Sequence, residues 1–257
     1  MNTQSESSRA ANGFPPIGFG KSLLSPLVIM LMVLGCASLE TGRSASTELQ
    51  PEGPDTLRSG NNLLTNHMAR NEDGTINVVI EIPSGTSERW EVSEDGFALM
   101  RESPGPKTQI INDLLPYPGN YGFIPRTLLD PEKGGDGGAL DVMILGPAVA
   151  RGTVVRARPI GVIRLVDRME QDDKILAVAQ GPALKEIHDM ASLQAGYPGV
   201  IEILDLWWTH AYGQGTDVNL LGTGSRAQAN SVIDFAMQSW LEMRRKARQA
   251  EEQNVED

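Results

Sequence analysis

Residues 153–167 have the sequence TVVRARPIGVIRLVD, a run rich in β-branched residues with a Pro-Ile-Gly segment near its centre. Such a composition is typical of β-strands. We therefore predict two strands, one on each side of a bend from Pro159 to Gly161. The segment KILAV, at 174–178, is expected to form another strand that pairs with them.

Further short strands are predicted on the N-terminal side of this pair. They are INVVIEI at 76–82, RWEV at 89–92, residues 98–101 after an Asp-Gly turn, and DVMIL at 141–145. Many short strands at regular spacing favour a closed or nearly closed β-barrel.

Two helices are predicted in the C-terminal part of the chain, and both are expected to pack on the barrel. Pro198 is expected in the first turn of a helix that continues to residue 212. Residues 213–224 are predicted to form a glycine-rich loop. Ser225 and Gln228 then fit a capping box. The long helix that follows has an apolar stripe of Ala229, Val232, Ile233, Ala236, Met237, Trp240 and Leu241.

An apolar run, LLSPLVIMLMVLG at 23–35, ends directly before Cys36. It is shorter than the roughly twenty residues that a membrane-spanning helix needs, and it suits a signal peptide. The order Val-Leu-Gly-Cys resembles a bacterial lipobox. We therefore predict a lipoprotein-type signal peptide over 1–35 and lipidation at Cys36. A buried helix with a chance cysteine and an uncleaved anchor are the alternatives.

Residues 36–70 are rich in Ser, Thr, Gly, Asn and Pro, and are predicted to form a flexible tether. The folded domain is expected over 71–250, followed by an acidic tail at 251–257. Together with Cys36, this division predicts a lipid-anchored protein of the cell envelope. A cytoplasmic location is the alternative.

The bulk composition restricts the function. The net charge is −11, which argues against a general nucleic-acid binder because such a protein needs a basic surface. The chain has one cysteine, so it cannot form an intrachain disulfide or a zinc-cysteine site. Three histidines are too few and too scattered to indicate a histidine metal site.

The segment YPGNYGFIPRTLLDPEKGGDGGALD, residues 117–141, combines two tyrosines, a glycine-rich loop and the acids Asp130, Asp136 and Asp141. Carboxylates clustered before an apolar strand suit a hard cation, which takes oxygen ligands. The alternative is a solvated acidic turn, since turns also favour Gly and Asp.

Charged residues also occur at other predicted strands. Considered singly, Glu81 fits a solvent-facing strand face, Arg89 and Glu91 fit a surface ion pair, and residues 167–174 fit a charged hairpin loop. A barrel could bring these charges to one mouth. Carboxylates that hold divalent ions, ringed by arginine and lysine, suit a polyanionic phosphate substrate.

Seven segments, in order, resemble the soluble family I inorganic pyrophosphatases. They are VVIEIP at 78–83, RWEV at 89–92, Arg101 after ALM, YPGNYGFIP at 117–125, LDVMIL at 140–145, RARPIGVIRLVD at 156–167 and DDKILAV at 172–178. The resemblance implies an α+β fold, an OB-like five-stranded β-barrel with packed helices. It also implies Mg²⁺-dependent hydrolysis of pyrophosphate to two phosphates by metal-activated hydroxide, and a homo-oligomer.

The resemblance assigns roles to individual residues. The metal ligands that it implies are Glu81, Asp136, Asp141, Asp167 and Asp172. The substrate-binding residues that it implies are Arg89, Arg101, Tyr117, Tyr121, Lys174 and Tyr212. Asp136, Asp141 and Tyr121 are expected to take part in catalysis, and Glu91 is expected to support the site.

The chain departs from the family pattern at several positions. Gly138 and Ala139 stand where the family has an acid and a proline, and that acid is held to orient or deprotonate the nucleophilic water. Arg89 stands where the family usually has lysine, and no lysine follows Tyr212. Two functions therefore remain open at this point: a Mg²⁺-dependent pyrophosphatase, or a catalytically impaired relative that binds metal or phosphate at the cell envelope.

Overall fold

The computed structural model describes residues 45–46, 48–102, 115–167, 169–211 and 218–256. The predicted signal peptide, Cys36 and Tyr212 lie outside these residues. The strands are β1 Ala45–Ser46, β2 Leu49–Pro51, β3 Thr56–Ser59, β4 Ile76–Ile82, β5 Trp90–Val92, β6 Ala98–Arg101, β7 Asn120–Phe123, β8 Asp141–Leu145, β9 Thr153–Asp167, β10 Glu170–Gln171, β11 Lys174–Ala179 and β12 Val218–Ser225. The α-helices are α1 Met190–Gly196, α2 Val200–His210 and α3 Arg226–Glu256.

Five strands close into a ring. The neighbours are β9, β11, β8, β7 and β4, and β4 pairs again with β9. The pairing of β11 with β8 is parallel, and the other pairings in the ring are antiparallel. This arrangement confirms the predicted five-stranded barrel. Closure removes the exposed strand edges that an open sheet of this size would present.

The prediction of two strands around Pro159 was wrong, because β9 is one continuous strand. The bend is instead accommodated by a register shift: Gly161 pairs with Leu176 and Pro159 pairs with Ala177, so Ile160 has no partner on β11. A bulge of this kind bends a strand without ending it. A Cβ at Gly161 would collide with the side chain of Met190, so glycine allows α1 to pack there.

The prediction of a flexible tether was wrong for residues 48–70. Strands β2 and β3 join β6 and β5 in a second, four-stranded sheet. Leu63, 1% exposed, packs with Trp90 and Leu99 of that sheet and with Val79 of the barrel. Short polar strands carry little apolar periodicity, which is why their sequence resembles a linker.

The helices cover the barrel on two sides. Alternate residues of β4, β8 and β11, such as Val78, pack with Ala229, Ile233 and Ala236 of α3. Other residues of the barrel strands pack with α1 and α2. The predicted capping box is confirmed, because Ser225 N–H donates to Gln228 Oε1 over 2.8 Å and Gln228 N–H donates to Ser225 Oγ over 3.3 Å.

Three boundaries differ from the predicted ones. Helix α2 starts at Val200, after a left-handed Gly199, so Pro198 precedes its first turn. The predicted glycine-rich loop contains strand β12, which pairs with β9 from Val218 onward. Helix α3 continues through the predicted acidic tail to Glu256, and Leu241 of its expected stripe is exposed. Among the described residues, no helix has the length and apolar character needed to cross a membrane.

Candidate active site

A cavity of about 300 Å³ opens at one end of the barrel, and each of the five ring strands contributes a residue to its wall. We call it the acidic cavity. Its lining residues are Glu81, Arg89, Glu91, Val92, Tyr121, Phe123, Asp136, Gly138, Ala139, Asp141, Asp167, Glu170, Asp172 and Lys174. Among these described residues, seven carboxylic acids face two cationic side chains. A phosphate anion would be repelled from such a wall unless additional cations bound there.

Lys174 lies at the centre of a hydrogen-bonded network in the acidic cavity. Its ammonium group donates to Asp141 Oδ2 over 2.5 Å and also donates to Asp172 Oδ1. The hydroxyl of Tyr121 donates to the same Asp141 oxygen over 2.6 Å. The side chain of Lys174 is only 4% exposed, so its charge is compensated by these carboxylates rather than by water.

The environment of the cavity shifts the protonation of two acids. Burial raises the pKa of Asp172 to about 6, with Lys174 opposing that rise and the charges of Asp141 and Asp136 adding to it. Burial, followed by the charge of Asp141, raises the pKa of Glu81 well above its ordinary value. Glu81 accepts a hydrogen bond from Val92 N–H over 2.7 Å. Both acids thus favour the protonated form more than a free carboxyl group does.

Arg89 lies on the rim of the cavity between two acids. Its guanidinium contacts Glu91 Oε1 at 3.1 Å and Glu102 Oε2 at 2.8 Å. Burial and the hydrogen bond and charge of Glu102 raise the pKa of Glu91 to about 7, against the lowering effect of Arg89. The predicted pair of Arg89 and Glu91 therefore exists, and it belongs to the cavity wall.

The glycine-rich loop before β8 carries Asp136 into the cavity. Leu129 exchanges two backbone hydrogen bonds with the loop, to Gly138 O and from Gly137 N–H, both 2.8 Å long. Asp136 Oδ1 accepts from Gly138 N–H over 2.8 Å. A Cβ at Gly138 would lie 3.2 Å from that same oxygen, so the Asp136 carboxylate occupies the space beside residue 138.

Two residues with predicted substrate contacts do not line the cavity. Tyr117 is buried, with its ring 5.4 Å from the Tyr121 ring and 4.7 Å from that of Trp207, so it supports Tyr121 from behind. Arg101 lies on β6 and pairs with Asp55 and Glu88. Tyr212 lies outside the described residues.

The comparisons with known proteins agree with this arrangement. Residues 78–241 match the family model described as inorganic pyrophosphatase. The chain belongs to the inorganic pyrophosphatase family. The match begins in β4 and ends in α3, so it includes the barrel and every described residue of the acidic cavity.

Individual relatives extend this result. The inorganic pyrophosphatase of Gluconobacter oxydans is 34% identical over 63% of this chain and 89% of its own length. The crystal structure of inorganic pyrophosphatase from Thermus thermophilus matches with a TM-score of 0.58 and 25% identity, over 70% of this chain and 99% of that one. The corresponding structure from Neisseria gonorrhoeae matches with a TM-score of 0.58 and 28% identity, over 68% of this chain and 96% of that one.

The chemistry of the cavity fits a divalent cation of the kind that the family implies. Within the described residues, no three His, Cys, Asp or Glu side chains are already grouped as a metal site. The donors present are nevertheless carboxylate oxygens, the ligands that Mg²⁺ and Ca²⁺ prefer. Asp136, Asp141, Asp167 and Asp172, all of which were predicted from the sequence, line the same cavity as Glu81.

The sequence interpretation missed Glu170. This exposed residue of β10 lines the acidic cavity, as do Gly138 and Ala139 of the glycine-rich loop. Its position among the charges of residues 167–174 gives the only signal, because the antiparallel pairing of Glu170 with Asp167 places both at the end of the same hairpin.

Proposed function

We propose that the protein hydrolyses inorganic pyrophosphate to two phosphates in a reaction that requires Mg²⁺. Membership of the inorganic pyrophosphatase family supports pyrophosphate as the substrate. The network of Tyr121, Asp141, Lys174 and Asp172 in a strongly acidic cavity is the observation that carries the proposal. A cavity with this charge accepts pyrophosphate only together with bound cations.

The residues of the cavity divide into two groups. Asp136, Asp141 and Asp172 would hold Mg²⁺, with Asp167 and Glu81 completing the oxygen donors. When bound, Mg²⁺ neutralises phosphate charge and lowers the pKa of water. Lys174 and Arg89 place two fixed positive charges on the wall, where they can bind phosphate oxygens.

Tyr121 and Lys174 both orient the Asp141 carboxylate, since both donate to its Oδ2 atom. Two donors on one oxygen fix the rotation of the side chain, and they leave Oδ1 to face other partners. Metal sites generally require that neighbouring groups orient each side chain that binds the metal.

Release of phosphate from pyrophosphate by the purified full-length protein tests the proposal. We expect release with MgCl₂ and none above background with EDTA. The matched variants are Asp141→Asn, which removes a cavity carboxylate, and Asp234→Asn, which removes a surface carboxylate paired with Arg70. The proposal fails if the wild type, folded by circular dichroism, releases no phosphate with Mg²⁺.

Gly138 favours a second candidate, a catalytically impaired relative that binds metal or phosphate. The family has an acid at this position, and here the position has no side chain. Under this alternative, Mg²⁺ and phosphate bind in calorimetry while pyrophosphate hydrolysis stays at background. Hydrolysis at a rate that responds to Asp141→Asn excludes it.

We also propose that the protein is attached to a membrane of the cell envelope by a lipid on Cys36. The apolar run at 23–35 and the single cysteine that follows it support this proposal. Cys36→Ser should move the protein from the membrane fraction to the soluble fraction. Retention of that variant in membranes would exclude Cys36 as the anchor.

A further inference from the structure

A second cavity lies behind the hairpin that supplies Asp167 and Asp172. It consists of two adjoining spaces of about 210 and 360 Å³, which share Lys133, Gln171 and Asp173 as lining residues. We call it the hairpin cavity. None of the residues that line it, within the described chain, also lines the acidic cavity.

The alternation of side chains along the hairpin separates the two cavities. Successive residues of a strand point to opposite faces of a sheet. Asp167 and Asp172 line the acidic cavity, whereas Val166, Gln171 and Asp173 line the hairpin cavity. A hydrogen bond of 3.0 Å from Gln171 N–H to Gly134 O joins the hairpin to the loop that carries Asp136.

Of the charged groups of the hairpin cavity, Lys133 is neutralised by ion pairs within the chain, and Asp173 is hydrogen-bonded. Asp173, which is buried, accepts from Gln171 Nε2 over 2.9 Å. Lys133 donates to Glu242 over 2.9 Å and lies 3.5 Å from Asp130. The Gln171 amide is neutral, so Asp173 keeps its negative charge, and an anion can bind only where it lies closer to a cation than to Asp173.

Arg164 differs from Lys133 and Asp173 in its hydrogen bonding. This arginine of β9 lines the larger space, and its Nε atom is buried without a hydrogen-bond partner in the described part of the chain. A buried donor that lacks an acceptor destabilises the folded protein. Arg164 itself lines the larger space, so the accessible part of its guanidinium can bind an anionic acceptor there, and carboxylate, sulfonate and phosphate groups all match guanidinium geometry.

The remaining wall is apolar and partly open to solvent. Leu129, Val232 and Phe235 line the smaller space, and Leu221 and Met169 line the larger one. Phe235 is 53% exposed, so its ring is accessible at the surface of α3. Apolar walls with one convergent charged group are typical of pockets for small organic ligands.

We propose that the hairpin cavity binds a small organic anion, with its acidic group on Arg164 and its apolar body against Phe235 and Val232. The site is separate from the acidic cavity, so the proposal does not depend on pyrophosphate hydrolysis. The expected ligand is not pyrophosphate, because apolar side chains make no favourable contact with a molecule composed only of phosphate groups.

The test uses 8-anilinonaphthalene-1-sulfonate, an aromatic anion whose fluorescence rises in apolar surroundings, titrated into the full-length protein. We expect saturable binding that Arg164→Gln weakens about tenfold, the effect of losing a hydrogen bond to a charged group. Phe235→Ala, a change at a partly exposed site, should weaken it about threefold, in line with a partial loss of apolar contact. Arg156→Gln is the matched control, because Arg156 lies on the same strand but pairs with Asp73.

The control variant should bind as the wild type does. The proposal is overturned if the wild type shows no saturable binding, or if neither Arg164→Gln nor Phe235→Ala changes the dissociation constant by more than about twofold. It is also overturned if Arg156→Gln weakens binding as much as Arg164→Gln. Thermal unfolding by circular dichroism establishes that each variant is folded, and Phe235→Ala decides the question if Arg164→Gln does not fold.

Discussion

The ammonium nitrogen of Lys174 lies 2.5 Å from Oδ2 of Asp141, the oxygen that also accepts the hydroxyl of Tyr121. Lys174 therefore links β11 to β8 through charge at the point where both strands open into the acidic cavity. Because its side chain is almost fully buried, the lysine and the two carboxylates depend on one another for compensation.

Replacing Lys174 with Met should lower both stability and activity. The substitution keeps the apolar stem but leaves Asp141 and Asp172 without their common partner. Breaking a buried ion pair from one side costs about 3 kcal/mol, and we expect that loss in urea unfolding at pH 7 with EDTA. Lys185→Met is the control, since the Lys185 side chain is exposed and pairs only with its neighbour Glu186. Equal stability of the two variants would contradict the structural role of Lys174.

Tyr121→Phe should reduce kcat about tenfold to a hundredfold and destabilise the protein by no more than about 3 kcal/mol. A hydrogen bond to a charged group contributes about 1.5–3 kcal/mol, and this one orients Asp141. The ring would keep its packing against Trp208, 5.8 Å away between centroids. The control is Tyr197→Phe, because the hydroxyl of Tyr197 donates to Ala183 O at the surface. An unchanged kcat would show that Asp141 does not need this donor.

Asp172 should make the metal-free protein less stable as the pH rises. Its pKa is raised from an ordinary 3.8 to about 6, so between these values the folded protein holds a proton that the unfolded chain has lost. The slope of stability against pH is negative wherever the folded state binds more protons. The loss begins near pH 4 and is complete above about pH 6, with a total of about 3 kcal/mol.

Asp172→Asn removes this dependence of stability on pH, so the experiment compares the variant with the wild type at each pH. Urea unfolding in EDTA at several pH values between about 3.5 and 7 gives both stability curves, and the contributions of other groups cancel between them. From the low to the high end of this range, the stability of the variant relative to that of the wild type should rise by about 3 kcal/mol. Parallel curves would show that Asp172 titrates normally in the folded protein.

The barrel was predictable because its strands carry their own signals. Strands β4, β8 and β11 are rich in Ile, Val and Leu and are bounded by turns, and the acids at or near their ends were expected to converge. Strand β7 was missed because NYGF combines a polar residue with a glycine, and it is held by pairing with β4 and β8. In the same way VNLLGTGS looks like a loop, yet β12 is held against β9. Tertiary pairing decides such segments, and local sequence does not report it.

The site was predictable to a similar extent. The carboxylates at strand ends were placed correctly in one cavity, because strand ends converge in a closed barrel. The positions of Arg101 and Tyr117 outside the cavity were not predicted. Arg101 contacts Asp55 and Tyr117 contacts Trp207, and both contacts join segments far apart in the chain. Side-chain pairing across such distances leaves no local pattern in the sequence.

Leu63→Ala should destabilise the protein by about 3 kcal/mol, as large-to-small changes at fully buried sites do. Leu63 connects the second sheet to the barrel, so this loss would show that residues 48–70 belong to the folded domain. Leu206→Ala, at an exposed position of α2, should change stability by no more than about 0.5 kcal/mol. Urea unfolding measures both variants. If Leu63→Ala were as stable as Leu206→Ala, the first part of the chain would behave as a tether after all.

Asp136 and Gly138 determine whether the cavity has an acid that can take a proton from the attacking water. We expect Asp136→Ala to lower kcat by about 10²–10⁴, the usual contribution of a general base, because the Asp136 carboxylate occupies the space beside residue 138. Gly138→Asp should then fail to raise kcat, since its Cβ would lie 3.2 Å from Asp136 Oδ1 and its charge would add to seven acids. Gly138→Ala separates the two effects, because it introduces the Cβ without the charge. If Gly138→Asp instead accelerates phosphate release while Asp136→Ala has little effect, the base is missing from this chain and Asp136 serves only the cation.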